Sequence, residues 1–334
     1  STQGVSSAAS DVYKRQFNYL QYKYMKPKHF DIIHCIDDNY GPQCGVTITS
    51  ICMNHSDVDI TFHIMYANLS KQLIEKLRNQ VAIFNKSIFF YKIDVSVLEN
   101  SPLEGGKTLP LATYYRLLVA QYVSPEVHRA LYLDVDMIVC RRLDAFYQTD
   151  MTNWAAAGVY DISTLDHGPS ERLGYNFSLG YINAGVMLIN LDYWRQYNIG
   201  IECLKFLQNH RDKLLFHDQD VLNGTLAGRI KVMPLEYNVQ KHFYDPEFES
   251  HFPKEYTSDY QETINNPAIV HFTETEKPWS TYSTHPMCSK WWYYAKHSLW
   301  KHYFPVLPKD ASILIKLRWL LMHLGCNIQD KSLH

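Results

Sequence analysis

The sequence predicts an α/β fold in which a mostly parallel sheet is flanked by helices. Three short apolar runs have the length and composition of buried strands, at 31–36, 60–66 and 88–94. Between the last two, apolar residues recur every three or four positions over 71–84, which is the spacing of an amphipathic helix. Strands that alternate with helices in this way are typical of a parallel sheet covered on both faces.

The other predicted elements keep to this pattern as far as about residue 243. Further helices are predicted at 41–54, 113–122, 192–210 and 218–226. Further strands are predicted at 130–134, 155–160 and 181–190. Beyond 243 the chain is rich in Pro, Glu, Tyr and Ser and the alternation ends, so we predict a boundary near 250.

The composition argues against several classes of protein. The 334 residues are 46% hydrophobic and 20% charged, as in ordinary globular proteins. The formal net charge is −2 and no nucleic-acid-binding motif is present, so no nucleic-acid partner is expected. The seven Cys are scattered without a CxxC pair, which favours a reducing compartment over a disulfide framework or a Cys-rich zinc site. We expect neither a membrane span nor a signal peptide.

The strongest chemical signal is a pair of acids at the end of a strand. The strand at 130–134 runs into Asp134-Val135-Asp136, and side chains two positions apart in an extended chain point to the same side. Both carboxylates would then face one cation at the carboxyl end of the strand, where open α/β sheets bind ligands. Oxygen ligands suit Mn²⁺ or Mg²⁺, and either ion also holds a diphosphate. A DxD by itself is more often a solvated turn, so the neighbouring segments have to decide.

Several other segments accompany the acid pair. They lie at 35–40, 113–117, 182–191, 217–223, 271–273 and 277–279. Together with 131–136, and in this order, they resemble glycosyltransferase family 8, the retaining enzymes of the GT-A fold that use nucleotide sugars. That family includes bacterial lipopolysaccharide galactosyl- and glucosyltransferases. The resemblance covers about residues 30–280 and implies a GT-A, Rossmann-like nucleotide-sugar fold.

The resemblance implies a role for each matched residue. Ile36 would pack on the uracil, and Asp37 and Asn39 would hydrogen-bond the uracil and ribose. Arg116 and Asp161 would contact the donor sugar, while Asn183 opens a small-residue segment that lets the backbone approach a ligand. The nucleotide-sugar-binding set that it implies is Ile36, Asp37, Asn39, Tyr40, Arg116, Asp134, Val135, Asp136, Asn183, Ala184 and Lys277.

The implied metal ligands are Asp134, Asp136 and His271. Two carboxylates and an imidazole suit Mn²⁺ better than Ca²⁺, with Mg²⁺ as the alternative. Lys277 would contact the diphosphate as a point charge. Taken alone, His271 would be interpreted as a core histidine, and Arg116 as a surface cation.

Three residues are implied as the catalytic group: Asp161, Asp218 and Gln219. Without the resemblance, Asp218 is a candidate helix N-cap, since Asp is common ahead of an apolar-periodic run. One departure from the family pattern stands nearby, because Glu274 occupies the place that usually holds Gly in the last motif. A carboxylate there would repel the diphosphate unless it turns away or pairs with a cation.

The implied reaction moves galactose or glucose from a UDP-sugar to a saccharide acceptor in the synthesis of bacterial lipopolysaccharide or another surface glycan. Retention is reached either through a covalent intermediate on Asp218 or by front-face attack, which is favoured if Gln219 is the nearest group. Two other interpretations stay open. One is a self-glucosylating protein like glycogenin, suggested by the 25 Tyr. The other is an inactive sugar-nucleotide-binding module, against which the complete metal-ligand set argues.

The domain prediction has three segments. Residues 1–24 are expected to be a non-native or disordered leader, since the first 16 resemble translated linker sequence and Met25 is a candidate native start. Residues 25–250 form the catalytic domain, whose last metal-binding motif runs on to 280. Residues 281–334 form an aromatic and basic helical extension.

The extension contains a helix that is apolar on two sides. One stripe holds Ile313, Leu314, Leu317, Leu320, Leu321 and Leu324, and the opposite side holds Ile315, Trp319 and Met322. Lys316 and Arg318 lie on the flanks. We expect one face to pack on the protein and Trp319 and Met322 to meet a membrane surface. A lipid-linked acceptor and a cytoplasmic protein on the inner face of the cytoplasmic membrane would follow. A helix buried on both sides is the alternative.

Overall fold

The computed structural model describes residues 29–98, 111–245, 247–251, 260–280, 283–304 and 311–323. The predicted leader, 1–24, lies outside them. The strands of the described chain are β1 His29–Cys35, β2 Asp59–Tyr66, β3 Ser87–Lys92, β4 Arg129–Leu133, β5 Met137–Val139, β6 Ala156–Tyr160, β7 Ile182–Asn190, β8 Ile230–Met233 and β9 Ile269–His271. Seven of them form one sheet in the order β3-β2-β1-β4-β7-β6-β8, and β5 pairs with β9 in a second, small sheet.

The large sheet is mostly parallel, which confirms the predicted fold class. β1 runs parallel to β2 and β4, β2 to β3, and β6 to β8. β7 is the exception, because it runs antiparallel to β4 and β6. The amino end of β7 therefore lies beside the carboxyl end of β4, where Leu133 is paired with Val186. Residues from the start of one strand and the end of another thus meet at one edge.

Helices of very different length connect these strands. The α-helices of the described residues are α1 Gly41–Asn54, α2 Lys71–Ile83, α3 Val119–Tyr122, α4 Asp144–Tyr147, α5 Pro169–Leu173, α6 Leu191–Gln196, α7 Ile199–Asn209, α8 His217–Thr225, α9 Tyr260–Asn265, α10 Cys288–Lys296 and α11 Ile313–His323. Segments of 3₁₀ helix lie at Asp38–Tyr40, Val95–Leu98, Leu111–Leu118, Ile162–His167, Phe177–Leu179, Arg211–Lys213, Leu235–Tyr237, Lys241–Tyr244 and Phe248–His251.

Apolar side chains pack on both faces of the large sheet. Along β1, Ile32 joins the core beneath α1 and α2, whereas its neighbour Ile33 joins the core beneath α7 and α8. This alternation is what an extended strand buried on both faces requires. Cys44 and Cys203 are free, buried thiols, one in each core.

Two predicted helices differ from the structure. The segment 192–210 is broken into α6 and α7, because Asn198 between them has a φ of 50° and a left-handed residue cannot continue a right-handed helix. The segment 113–122 is 3₁₀ helix up to Leu118 and α-helical only from Val119. Within the 3₁₀ turns the Arg116 Nε donates back to Thr113 O at 3.0 Å.

The small sheet brings distant sequence back to the acid pair. Met137, directly after Asp136, is paired with His271 of β9. The backbone N–H of Phe272 donates to Asp136 O at 2.9 Å. His271 thus reaches the edge where β4 ends, although it lies beyond the boundary predicted near 250.

The C-terminal helix α11 exposes the opposite face from the one predicted to meet lipid. Ile313 and Leu314 are 80% and 78% exposed, and Leu317 and Leu320 are 54% and 50% exposed. Trp319 is only partly exposed. The predicted orientation is therefore wrong, because periodicity marks two apolar faces without telling which one packs. The Met322 side chain and residue 324 lie outside what the structure describes. No helix among the described residues is long and apolar enough to cross a membrane.

Candidate active site

Asp134, Asp136 and His271 lie together at the junction of the two sheets. One potential ligand atom from each lies within 4.8 Å of the other two. His271 Nε2 lies 3.2 Å from Asp136 Oδ1 and 3.9 Å from Asp134 Oδ2. The acids follow β4 directly, and His271 ends β9, so strand ends fix all three. The three residues implied as metal ligands thus come together in space.

The space around this cluster is suited to a small cation. Gly185, near the start of β7, borders it without a side chain. A Cβ at that position would come within 2.3 Å of His271 Cε1 and 2.7 Å of Asp134 Oδ2, so a larger residue would push into the cluster. Two carboxylates and one imidazole are a donor set that Mn²⁺ and Mg²⁺ accept. The residues present therefore fit a divalent metal ion.

His271 is oriented by Asn238, which the sequence analysis did not identify. The His271 ring Nδ1 lies 3.0 Å from Asn238 Oδ1, and Asn238 Nδ2 donates to Asn183 Oδ1 at 3.0 Å. A proton held on Nδ1 by this bond leaves Nε2 as the atom that faces the acids. Such an outer partner fixes both the tautomer and the ring direction of a metal-binding histidine.

Each of the two acids is also paired with a cation from another part of the chain. Arg116 Nη2 donates to Asp134 Oδ1 and Lys277 Nζ donates to Asp136 Oδ2, each at 2.8 Å. The Tyr132 hydroxyl donates to Asp134 Oδ1 as well, at 2.7 Å. Burial opposes the charge of Asp136, but Lys277 and His271 outweigh it and hold its pKa below the usual range. The acid pair is therefore not a solvated turn.

A cavity of about 260 Å³ opens beside the acid pair. Its lining is Cys35, Ile36, Asp37, Tyr40, Ala112, Thr113, Arg116, Tyr132, Asp134, Val135, Asp136, Thr273 and Lys277. Ile36, Asp37 and Tyr40, which follow β1, contribute one buried apolar side chain and two polar ones to this lining. The acid pair, Arg116 and Lys277 contribute further charged groups. Apolar, polar and charged groups thus line one cavity next to the potential metal ligands.

Asn39 is placed differently from the other residues that the resemblance implies for this cavity. It is exposed, lies outside the lining, and donates its backbone N–H to Asp37 Oδ1 at 2.9 Å. This bond makes Asp37 the cap of the 3₁₀ helix that follows.

The residues implied for the sugar form a second network next to the acid pair. Asp161 Oδ2 accepts from both Asn183 Nδ2 and Gln219 Nε2, each at 3.0 Å. Gln219 Oε1 accepts from the Ala184 N–H at 3.0 Å. Arg116 Nη1 donates to Ala184 O at 2.8 Å and so connects this network to Asp134. These side chains are brought together by the starts of β7 and α8 and by the end of β6.

Asp218 is a buried acid that pairs with Arg116. Its Oδ2 is 3.0 Å from Arg116 Nε, and the residue is 5% exposed. Burial, aided by the charge of Asp134, outweighs Arg116 and raises the pKa of Asp218 to about 7. The N-cap of α8 is Phe216, so Asp218 does not have the capping role that its sequence position also allowed.

Glu274, the departure from the family pattern, turns away from the acids. Its carboxylate is 46% exposed and lies 4.0 Å from His242 Nδ1. Glu276 on the same loop pairs with Lys241 at 2.6 Å. The carboxylates of Glu274 and Glu276 therefore lie near His242 and Lys241, and Lys277 remains paired with Asp136.

Tyr132 and Asn238 contact the potential metal ligands but were not assigned to the site from the sequence, and of these two only Tyr132 leaves a local signal. Tyr132 stands two positions before Asp134 in an extended strand, so its side chain had to fall on the same side. Asn238 follows the 3₁₀ helix Leu235–Tyr237, and its contact with His271 spans 33 positions. No motif in its own neighbourhood marks it.

Comparison with known proteins agrees with this geometry. The family model described as glycosyl transferase family 8 matches residues 31–283. The chain is 30% identical over 260 residues to lipopolysaccharide 1,2-glucosyltransferase of Escherichia coli, covering 77% of this chain and 75% of that protein. It is 26% identical over 281 residues to general stress protein A of Bacillus subtilis (strain 168), covering 82% of this chain and 96% of that protein.

A solved structure shares the fold. The galactosyltransferase LgtC, crystallised in complex with donor and acceptor sugar analogs, matches with a TM-score of 0.73 at 24% identity. The match covers 84% of this chain and 98% of that one, which gives this chain the GT-A arrangement of a mostly parallel sheet flanked by helices. Because the family model matches most of this chain, the chain belongs to glycosyl transferase family 8 and is a glycosyltransferase.

Proposed function

We propose that this chain transfers galactose or glucose from a UDP-sugar to a saccharide acceptor, with retention of the anomeric configuration. The observation that carries the proposal is the cluster of Asp134, Asp136 and His271 beside a cavity that is lined by the two acids together with Ile36 and Asp37. The relatives support the choice of hexose, since one is named a lipopolysaccharide glucosyltransferase and one a galactosyltransferase.

In this proposal the protein binds the donor along the cavity. Ile36 packs on the uracil, and Asp37 and Tyr40 offer polar atoms to the base and ribose. Mn²⁺ or Mg²⁺ held by the cluster would neutralise the charge that develops on the leaving diphosphate. Lys277, which lines the same cavity and pairs with Asp136, adds a second positive charge beside it.

The contacts of the two candidate nucleophiles favour front-face attack. Asp218 is 5% exposed and paired with Arg116, so its carboxylate is poorly placed to attack a sugar. Both polar atoms of Gln219 are hydrogen-bonded, to Ala184 and Asp161. In the front-face route the acceptor proton passes to the departing phosphate oxygen, and these residues hold the sugar rather than bond to it.

The acceptor is proposed to be a lipid-linked saccharide of a bacterial surface glycan. Support comes from α11, which exposes four large aliphatic side chains next to the exposed cation Lys316. An apolar face edged by positive charge is typical of helices that lie in the interface of an anionic membrane. The protein would then work on the inner face of the cytoplasmic membrane, where its acceptor is anchored.

A donor screen tests the proposal. The purified protein is incubated with UDP-galactose, UDP-glucose, UDP-N-acetylglucosamine or UDP-glucuronate and Mn²⁺, and UDP release is measured. We expect slow release from UDP-galactose or UDP-glucose, and none from UDP-glucuronate, whose carboxylate would face Asp161. Failure of all four donors, together with no UDP binding by calorimetry, would overturn the proposal.

Intact-mass measurement of the protein after each incubation tests the glycogenin-like alternative. An unchanged mass is expected. A ladder of added hexoses would instead assign the protein to self-glucosylation.

A further inference from the structure

Lys277 contacts a carboxylate oxygen of Asp136 that a metal ion would need as a ligand. Its Nζ lies 2.8 Å from Asp136 Oδ2, and it also donates to Phe272 O. The other oxygen of Asp136 faces His271 Nε2 at 3.2 Å. Both carboxylate oxygens of Asp136 therefore already have partners.

The neighbouring acid is balanced in the same way. Asp134 Oδ1 accepts from Arg116 and Tyr132, which leaves Oδ2 as the atom that faces His271. Arg116 is 6% exposed and also holds Ala184 and Asp218, so it is fixed. Lys277 differs, because its side chain is 18% exposed, against 8% for that of Arg116, and besides Asp136 it donates to the backbone oxygen of Phe272. Of these two counter-ions, Lys277 is the one that can move.

A divalent ion and the ammonium group compete for Asp136. Two like charges a few ångströms apart in a partly buried site repel strongly, and one oxygen cannot serve both fully. A diphosphate bound in the cavity would end this competition, because its oxygens offer the Lys277 ammonium group new partners and leave the Asp136 oxygen to the metal ion. We propose that Lys277 acts as the resident counter-ion of Asp136 and passes to the diphosphate, so that metal and nucleotide bind strongly only together.

This inference rests on the proposed UDP-sugar site but predicts something beyond it. A lysine that only contacts the diphosphate would have no effect on metal binding in the absence of nucleotide. A resident counter-ion weakens the binding of metal alone and strengthens the binding of metal with UDP. By linkage, the metal must raise the affinity for UDP by the same factor as UDP raises that for the metal.

The test measures binding rather than turnover. Mn²⁺ binding to the full chain without nucleotide is followed by electron paramagnetic resonance, and UDP binding at saturating Mn²⁺ by calorimetry. For Lys277→Met we expect Mn²⁺ alone to bind roughly tenfold more tightly, and UDP with Mn²⁺ roughly tenfold more weakly. Lys241→Met is the matched control, because it removes a cation that pairs with Glu276 on the same loop. It should change neither affinity.

Each result decides between the two roles. Unchanged or weaker binding of Mn²⁺ to Lys277→Met, or equal tightening in Lys241→Met, overturns the exchange. Lys277→Gln is measured in parallel, and melting temperatures identify the folded variant on which the conclusion rests. If the wild type binds no UDP even with Mn²⁺, the proposed function fails instead. The two failures are thus distinguishable.

Discussion

The candidate active site has two halves that hold their acids in different ways. In the half that follows β4, the acid pair is balanced by two cations, Arg116 and Lys277, each at 2.8 Å. In the half between β6 and α8, Asp161 is held by the side-chain amides of Asn183 and Gln219, each at 3.0 Å. The first half is arranged by charge and the second by the direction of neutral donors.

This difference indicates what each half contributes. In the proposed exchange a metal ion takes the place of Lys277 on Asp136 while Lys277 moves to the diphosphate, so the first half suits a ligand that arrives and leaves charged. A set of amide hydrogen bonds has fixed directions and suits the positioning of a neutral sugar. We therefore expect the first half to be sensitive to charge and the second to shape.

The largest expected effect removes a charge from the first half without changing its shape. Asp136→Asn should lower UDP release with Mn²⁺ by roughly a thousandfold or more, because the diphosphate charge is no longer neutralised. Asp150→Asn, which alters an acid bonded to Thr152 away from the site, should leave release unchanged. Wild-type activity that survives in EDTA would remove the basis for the metal assignment.

A smaller effect is expected from a change of shape in the second half. Gln219→Ala should lower turnover by roughly a hundredfold and leave UDP affinity within about twofold, because in the proposed function the residue positions the sugar and not the nucleotide. Gln196→Ala, on the exposed surface of α6, is the control. A collapse of UDP binding in calorimetry would show that the two halves are not separate.

The stability of the folded protein should depend on pH through Asp218, which pairs with Arg116 where the two halves meet. Burial raises the pKa of Asp218 from the ordinary 3.8 to about 7, so the folded protein holds this proton longer than the unfolded chain. The stability it contributes is full below the ordinary pKa and is lost as pH rises through 7. Between pH 5 and 8 the melting temperature of the wild type should fall by roughly 5 °C relative to that of Asp218→Asn.

The control for this experiment is Asp212→Asn, in the exposed turn Arg211–Lys213, which should follow the wild type. Parallel melting curves for the wild type and Asp218→Asn across this range would mean that Asp218 carries its charge in the folded protein at all these pH values.

The smallest effect on either half should come from α11. Leu317→Glu with Leu320→Glu should abolish co-sedimentation with anionic vesicles and leave UDP release within about twofold. Lys316→Glu should weaken vesicle binding by roughly fivefold, in a salt-dependent manner. Trp319→Glu should instead lower the melting temperature, because that side chain is partly buried. A wild type that stays in the supernatant at low salt would refute the membrane proposal.

The sequence was most informative where a local pattern determines a local geometry. The strand before Asp134 and its two-residue spacing from Asp136 predicted two acids on one side at a sheet edge, and the other matched segments were needed to decide against a solvated turn. The antiparallel direction of β7 was not predictable in this way, because a buried run such as 182–190 has the same composition in either direction. That direction is what brings Asn183 beside Asp161.

The features that the sequence did not predict depend on contacts between distant segments or on the conformation of a single residue. Asn238 holds His271 across 33 positions and has no motif of its own, so only the fold reveals it. The break at Asn198 depends on a single left-handed residue that helical periodicity does not register. The exposed side of α11 depends on what its neighbours cover.

The pairing of β5 with β9 has a consequence for how the protein is made. Asp136 and His271 are 135 positions apart, and the register of Met137 with His271 helps to bring them together. A growing chain has β1 to β7 available long before His271 leaves the ribosome. Long-range pairings of this kind form late, because a large loop must close first. We therefore expect a divalent ion to bind this cluster only after β9 has paired with β5, and to contribute nothing to the earlier steps of folding.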